Sequence, residues 1–335
     1  MSEPLGDALR RMLAARDDGD RLASVVGAIA EAACTIGAAL ARVPAQPGLL
    51  ARSGGRNVHG EAVLAADELA QRVLVDALRA SGAVFWAASE EAEEPIPLPL
   101  SGATGYAVTL DPLDGSSGVT ANAPAGVIFG VYGPDAPGGW RIPAGREQAA
   151  AGYVLFGPAT LLVLTAGDGT HVFARDPDSG EFVLAQSGVR CPEEGAVYSV
   201  SEGNRGYWDE RFREVVDGYK ELDGGAGKPY KLRHAGALVA DFHHVLVKGG
   251  IFAYPPTTRY PRGKLRLVYE LAPLAFVCEQ AGGAALDGGE RILDLVPEDV
   301  HARAPIYIGS RALVEEAVAS VRTTATAPAG SAGRN

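Results

Sequence analysis

Apolar positions along the chain recur with two periods, and the period changes at identifiable places. From 7 to 43, Leu, Ile and Val recur at helical spacing in an Ala-rich background, which predicts one or two helices. Residues 44–60 interrupt this with Pro44, Pro47, Gly48, Gly54, Gly55 and Gly60 and read as a mobile loop. Residues 61–80 resume a helical stripe through Val63, Leu69, Val73 and Leu74. Short apolar runs of strand length follow at 83–88, 106–110, 127–132, 151–165 and 171–174, with turn residues Gly167-Asp168-Gly169 between the last two. The acidic, Pro-rich stretch 93–104 and the Gly/Pro stretch 133–145 read as surface loops. A second alternation of strand and helix begins at 197–201, with helices expected at 211–222, 238–247 and 271–280. The last carries Pro273 in its first turn and Gly282-Gly283 past its end. Residues 264–269 alternate polar and apolar, as a half-buried strand does.

The pattern predicts an α/β chain in two parts, 1–190 and 191–322, followed by a disordered Thr/Ala/Gly/Pro tail at 323–335. Charge narrows the function. Lys plus Arg total 30 and Asp plus Glu 41, a formal net charge of -11. That balance argues against nucleic acid or an anionic membrane as partner, since both require a basic surface. The most apolar stretches, 26–43 and 153–165, are interrupted by Glu31 and Arg42 or by Pro158, so no membrane span is expected. The N-terminus lacks the apolar core of a signal peptide, and Cys34, Cys191 and Cys278 are too scattered for a zinc or disulfide framework. The expected compartment is the cytoplasm.

Three segments place carboxylates just past predicted strand ends: Glu90-Glu91, Asp111 with Asp114, and Glu270. Strand ends of α/β sheets are where ligand sites collect, and carboxylate oxygens suit hard divalent cations such as Mg²⁺. Asp111 and Asp114 lie three apart across an expected turn at Pro112, so both side chains and the Leu113 carbonyl can face one point. Gly115-Ser116-Ser117 follows, supplying backbone N–H groups and hydroxyls for a phosphate beside the metal. Taken singly, D-x-x-D-G is commonly a solvated turn and Ser-Glu-Glu a helix start; the set together carries the inference. Asp241 reads as a structural hydrogen-bonding acid, and His243-His244 as structural or surface histidines. Residues 224–228 superficially resemble a phosphate loop but lack the leading glycine and precede Pro229.

The motifs run S-E-E at 89–91, D-P-L-D-G-S-S at 111–117, S-E-G-N at 201–204, G-G-I-F-A-Y-P at 249–255 and G-K-L-R-L-V-Y-E at 263–270. In this order, over about 55–310, the chain resembles class I fructose-1,6-bisphosphatase, a branch of the lithium-sensitive metal-dependent phosphatases. The resemblance implies a layered α+β sandwich of alternating helices and sheets with two subdomains, the first in the position of the family's AMP-regulatory domain. It implies hydrolysis of the 1-phosphate of fructose 1,6-bisphosphate by a metal-activated water, in gluconeogenesis or the Calvin cycle. Glu90, Glu91, Asp111, Asp114, Glu270 and the Leu113 carbonyl match metal ligands for two or three Mg²⁺, with Mn²⁺ as an alternative. Asp67 and Glu91 match the groups that activate water, and Glu61 matches a nearby loop acid. Asp114, Gly115, Ser116 and Ser117 match the cradle of the departing phosphate. Asn204, Tyr207, Tyr254 and Lys264 match residues that hold the 6-phosphate and sugar. Arg233 matches an arginine that reaches a neighbouring subunit's site in a homotetramer.

The chain departs from the family pattern in places. Gly118 replaces the usual Asn after Ser117, and His234 stands where a 6-phosphate tyrosine is usual. At the positions of the family's AMP site, residues 21–24 read R-L-A-S, a lysine is replaced by Gly105 before Tyr106, and an arginine by Gly133 after Tyr132. Weak or absent AMP inhibition follows. The alternative activities are sedoheptulose-1,7-bisphosphatase or a dual sugar bisphosphatase, then an inositol monophosphatase-like enzyme or a non-catalytic sugar-phosphate sensor.

Overall fold

Apolar runs that have no polar face must be covered on both sides, and the chain meets this requirement by stacking layers. The computed structural model describes residues 3–45, 47–56, 62–135, 142–221 and 229–322. The first half runs α1 (Leu5–Met12), α2 (Gly19–Leu40), β1 (Arg52–Arg56), β2 (Ala62–Leu64), α3 (Ala65–Ser81), β3 (Val84–Ser89), β4 (Ile96–Pro97), β5 (Gly105–Asp114), α4 (Ser116–Val119), β6 (Ala125–Asp135), β7 (Gln148–Phe156), β8 (Thr160–Thr165), β9 (Thr170–Arg175) and β10 (Phe182–Val189). The second half runs β11 (Val197–Ser199), α5 (Glu210–Lys220), β12 (Lys231–Leu232), α6 (Leu238–Lys248), β13 (Ile251–Tyr254), β14 (Leu265–Arg266), α7 (Ala272–Gln280), β15 (Ala284–Leu286), β16 (Arg303–Ala304), β17 (Ile306–Gly309) and α8 (Arg311–Arg322).

An eight-stranded sheet has the order β10-β9-β8-β7-β6-β5-β3-β4, and a five-stranded sheet the order β12-β11-β13-β17-β15. Alternation along the strands assigns each face to a different layer. Val127, Phe129 and Val131 of β6 pack with Leu22 and Ile29 of α2 and Leu74 of α3. Ile128, between them, faces the other way, into a cluster with Phe242 of α6 and Leu274 of α7. That same cluster takes Phe252 of β13 from the second sheet. Its neighbours Ile251 and Ala253 pack outward on Phe212 of α5 and Val314 of α8. The order is therefore helices, sheet, helices, sheet, helices, with α6 and α7 as the filling. Phe129 is fully buried, and truncating such a ring to Ala costs roughly 3–5 kcal/mol.

α2 is long and apolar enough to cross a bilayer by length and composition alone. Here Leu22, Val25, Val26, Ile29, Ala33 and Ile36 are buried against the first sheet and α3, which is how a core helix reads. The loop expected at 44–60 contains β1, which pairs antiparallel with β2. The run 151–165 divides at Gly157-Pro158 into β7 and β8. β10 lay outside the expected strands. Its burial is confined largely to its ends, as on an edge strand, so the apolar signal is faint. The strand expected at 264–269 stops at Arg266, and Leu267–Leu271 forms one π-helical turn leading into α7. Local alternation was overridden there because Leu267, Val268 and Tyr269 are all buried, leaving no solvent face for a half-buried strand. The tail at 323–335, Glu61 and the 224–228 segment lie outside the described residues.

Candidate active site

Several elements bring their ends to one cavity of about 340 Å³. α3 contributes Asp67, the third helical residue, whose Oδ2 accepts the Leu64 backbone N–H at 2.8 Å. β3 delivers Glu90 and Glu91 immediately past its last residue. The hydroxyl of Ser89 is fixed on Gln71 Oε1 at 2.6 Å, and the Glu90 N–H continues the pairing with β5 by donating to Leu110 at 3.1 Å.

β5 runs further than its apolar stretch, to Asp114. Asp111 pairs with Ile128 and Asp114 with Gly126, so three steps on β5 oppose two on β6. Pro112 cannot donate to the ladder, and the extra residue forms a bulge that re-aims both acids. The D-x-x-D segment is thus a strand bulge, not the turn its sequence suggested. Asp111 Oδ1 accepts the Leu113 N–H at 3.1 Å, and Asp114 Oδ2 accepts the Val239 N–H at the start of α6 at 2.8 Å. Gly115 has φ 79°, and a Cβ there would lie 2.5 Å from the Ala237 Cβ, so glycine is required on both counts.

Glu270 sits in the π-helical turn, not past a strand end. Its Oε2 accepts the Arg266 backbone N–H. The Arg266 guanidinium lies 3.1 Å from Glu90 Oε1. Glu90, Asp111 and Glu270 each place a carboxylate oxygen within 4.8 Å of the others. Burial pushes the Asp111 carboxyl well above its ordinary range, and repulsion from Glu90, Asp114 and Glu270 adds to it. Burial likewise raises Asp114 to about 7, opposed by the Val239 and Leu238 N–H groups. Glu270 rises to about 8, by burial first and Glu90 second, with Arg266 opposing. Converging oxygens that hold protons this tightly fit a hard divalent cation, which would replace those protons.

The same cavity is lined by Leu113, Gly115, Ser116, Ser117, Ser201, His234, Tyr254 and Lys264. Asn204 is adjacent, its amide donating to Tyr254 Oη at 3.4 Å and to Ser201 Oγ at 3.1 Å. Tyr207 is 44% exposed and Arg233 is exposed, and neither lines the cavity. Sequence reasoning missed Arg266, although it lies inside the G-K-L-R-L-V-Y-E motif: on a half-buried strand its side chain would have faced water. Asp241 is a hydrogen-bonding acid as expected, but it also lines the cavity. His243 bonds Tyr153 Oη at 2.8 Å, and burial lowers it to about 4, a structural histidine.

A family profile described as the fructose-1-6-bisphosphatase N-terminal domain matches residues 9–187, and the corresponding C-terminal profile matches 191–322. The chain belongs to the class 1 fructose-1,6-bisphosphatase family. It is 46% identical over 277 residues to the class 1 fructose-1,6-bisphosphatase of Maridesulfovibrio salexigens, covering 80% of this chain and 82% of that one. It is 43% identical over 300 residues to that of Trichormus variabilis, covering 88% and 84%. The crystal structure of Leishmania major fructose-1,6-bisphosphatase in holo form superposes with a TM-score of 0.89 at 33% identity, covering 96% of this chain and all of that one. Fructose-1,6-bisphosphatases are metal-dependent, and the acidic cluster here is consistent with that.

Residues 21–24 lie inside the first turns of α2. Just before it, Asp18 accepts from the Tyr106 hydroxyl at 2.7 Å and from Arg16 at 2.8 Å. Tyr132 is buried.

Proposed function

We propose that the chain hydrolyses the 1-phosphate of fructose 1,6-bisphosphate, giving fructose 6-phosphate and inorganic phosphate, in gluconeogenesis or the Calvin cycle. The observation that carries this reading is the clustering of Glu90, Asp111 and Glu270 in one cavity with Gly115, Ser116, Ser117 and Lys264. A cavity of about 340 Å³ is within the range that holds a small sugar phosphate.

Glu90, Asp111 and Glu270, with Glu91, Asp114 and the Leu113 carbonyl, would hold two or three Mg²⁺, or Mn²⁺. Such ions supply charge neutralisation at the phosphoryl group and make a water acidic near neutral pH. Asp67 and Glu91 accept the proton of the attacking water, with Glu61 matching a nearby acid. Ser116 and Ser117 hydroxyls and the Gly115 segment's N–H groups hold the departing phosphate. Lys264, Tyr254, Asn204, Tyr207 and His234 hold the sugar and its second phosphate, which fixes C1 for in-line attack. Arg233, exposed beside the exposed edge strand β12, completes a neighbour's site in a homotetramer. The two profile matches meet between 187 and 191, which supports an N-terminal and a C-terminal subdomain at that boundary. Three free thiols support a reducing cytoplasmic setting.

Phosphate release from fructose 1,6-bisphosphate, sedoheptulose 1,7-bisphosphate and inositol 1-phosphate, with and without Mg²⁺, tests the reading. Metal-dependent release that favours fructose 1,6-bisphosphate is expected. Preference for the seven-carbon sugar would move the assignment, and release from none of the three would leave a sugar-phosphate sensor.

A further inference from the structure

His234 enters the cavity from the segment between β12 and α6, and its ring is gripped at one nitrogen. Nδ1 lies 3.1 Å from Asp241 Oδ2 and 3.2 Å from Ser199 Oγ. Asp241, in the first turn of α6, is 3% exposed and has little freedom to turn away. Its Oδ1 accepts the Ala235 backbone N–H at 2.6 Å, and its Oδ2 that of Gly236 at 3.1 Å. An ionised carboxylate can only accept hydrogen bonds. A neutral imidazole beside it therefore carries its proton on Nδ1, and the Ser199 hydroxyl, donor or acceptor, follows. Nε2 is then a lone pair. It has no hydrogen-bond partner among the described residues, and the ring, 24% exposed, lines the cavity.

That tautomer has a chemical consequence. Toward a phosphate dianion, the neutral ring presents a lone pair and repels. The protonated ring presents an N–H and a positive charge. We propose that Asp241 is a positioning residue which, through His234, makes capture of the substrate's second phosphate conditional on an imidazolium. The proposal rests on the sugar-bisphosphate reading above. The other groups near the ring do not supply this behaviour. Lys264 and Tyr254 line the cavity from the second half of the chain and Arg233 is the chain neighbour. Lysine and arginine offer only donors and tyrosine a hydroxyl, so none of them shares the donor-or-lone-pair choice of the imidazole Nε2. Burial lowers His243 to about 4 and also lowers His244, both on α6. Asp114 approaches α6 from β5, but its Oδ2 is engaged by Val239.

The test uses the full chain loaded with Mg²⁺, assayed from about pH 6 to about pH 8 on fructose 1,6-bisphosphate and on fructose 1-phosphate, which lacks the second phosphate. With the bisphosphate, KM is expected to rise about tenfold toward the alkaline end, and with the monophosphate that rise disappears. In Asp241→Asn no carboxylate is left to hold the Nδ1 proton, and an amide N–H turned toward Nδ1, at the cost of facing the Gly236 N–H, moves the imidazole proton to Nε2. The rise in KM flattens, and the effect falls on KM more than on kcat. His234→Tyr, with a hydroxyl that does not titrate in this range, flattens it too and serves if the Asn variant fails to fold. Independently of turnover, ¹⁵N shifts of His234 should show the Nδ1–H tautomer in the free protein and both nitrogens protonated with fructose 6-phosphate bound. An Nε2–H tautomer in the free protein overturns the proposal. So does a KM profile shared by wild type and variants, or by both substrates. Lack of phosphate release from any sugar phosphate overturns the catalytic reading alone, and the nitrogen shifts then decide the Asp241–His234 pair by themselves.

Discussion

Two groups of side chains face one cavity under opposite electrostatic conditions. Glu90, Asp111 and Glu270 come within 4.8 Å of one another, with Asp111 and Glu270 almost entirely buried. Lys264 and Tyr254 are only partly covered, and each offers a donor, while His234 offers one toward the cavity only as an imidazolium. The first group resists its own assembly: like charges in a dry site hold their protons, and burial pushes Asp114 to about 7 and Glu270 to about 8. In the second group, Lys264 and Tyr254 can meet an anion as they stand. The difference teaches that the acidic side needs cations before it can face an anion, whereas the other side already presents donors in Lys264 and Tyr254. It also accounts for an acidic chain serving a highly anionic substrate, since a bound metal reverses the local sign.

The sharpest way to break the comparison is to remove one acid. Glu91→Gln and Asp114→Ala should each lower kcat by about a thousandfold or more, with the fold retained by circular dichroism. Near wild-type turnover in either would sink the assignment. Glu270→Gln should lose activity comparably, yet the metal-free variant should melt no lower than metal-free wild type at about pH 8, because a buried repulsion has been deleted.

A smaller effect sharpens the comparison through pH. Asp114 and Glu270 have folded-state values raised above their ordinary ones. Between the ordinary carboxylate range and about 8, the native state binds more protons than the unfolded chain, so metal-free stability falls as pH rises. Divalent cations compete with those protons. Thermal shift on adding Mg²⁺ should therefore grow from about pH 6 to about pH 8, with proton release measurable in weak buffer. A shift independent of pH would mean that these acids are not the ligands. The smallest expected effect is on regulation: AMP should inhibit the steady-state rate weakly or not at all. Asp18 already occupies the approach to α2 with Arg16 and Tyr106, and its charge opposes a nucleotide phosphate. Tight, cooperative AMP inhibition would refute this.

Much of this architecture was legible because it is local. β5 and β6 read as strands because both of their faces are covered, which forces continuous apolar runs. α2, α3, α6 and α7 carried their own periodicity, and the D-P-L-D-G-S-S motif announced its chemistry. What stayed hidden depended on distant partners. The bulge at Pro112 exists only against the register of β6. Arg266 is buried because Glu90, far earlier in the chain, meets it. The alternation at 264–269 was a true local signal, but the turn that holds Glu270 is shaped by burial on every side. Asp241 was read correctly as a hydrogen-bonding acid, while its contact with His234 needed the fold to be seen.

One bond described above reaches beyond the cavity. Asp114 lines the site and also holds the first N–H groups of α6 through Val239, and α6 is part of the helical filling between the two sheets. A change in the electron demand on that carboxylate alters its grip on the helix. The helix in turn carries Asp241, behind His234. Binding in the cavity should therefore change how readily the start of α6 exchanges its amide hydrogens with water, which would make the interlayer helix a gauge of a chemistry that it does not perform.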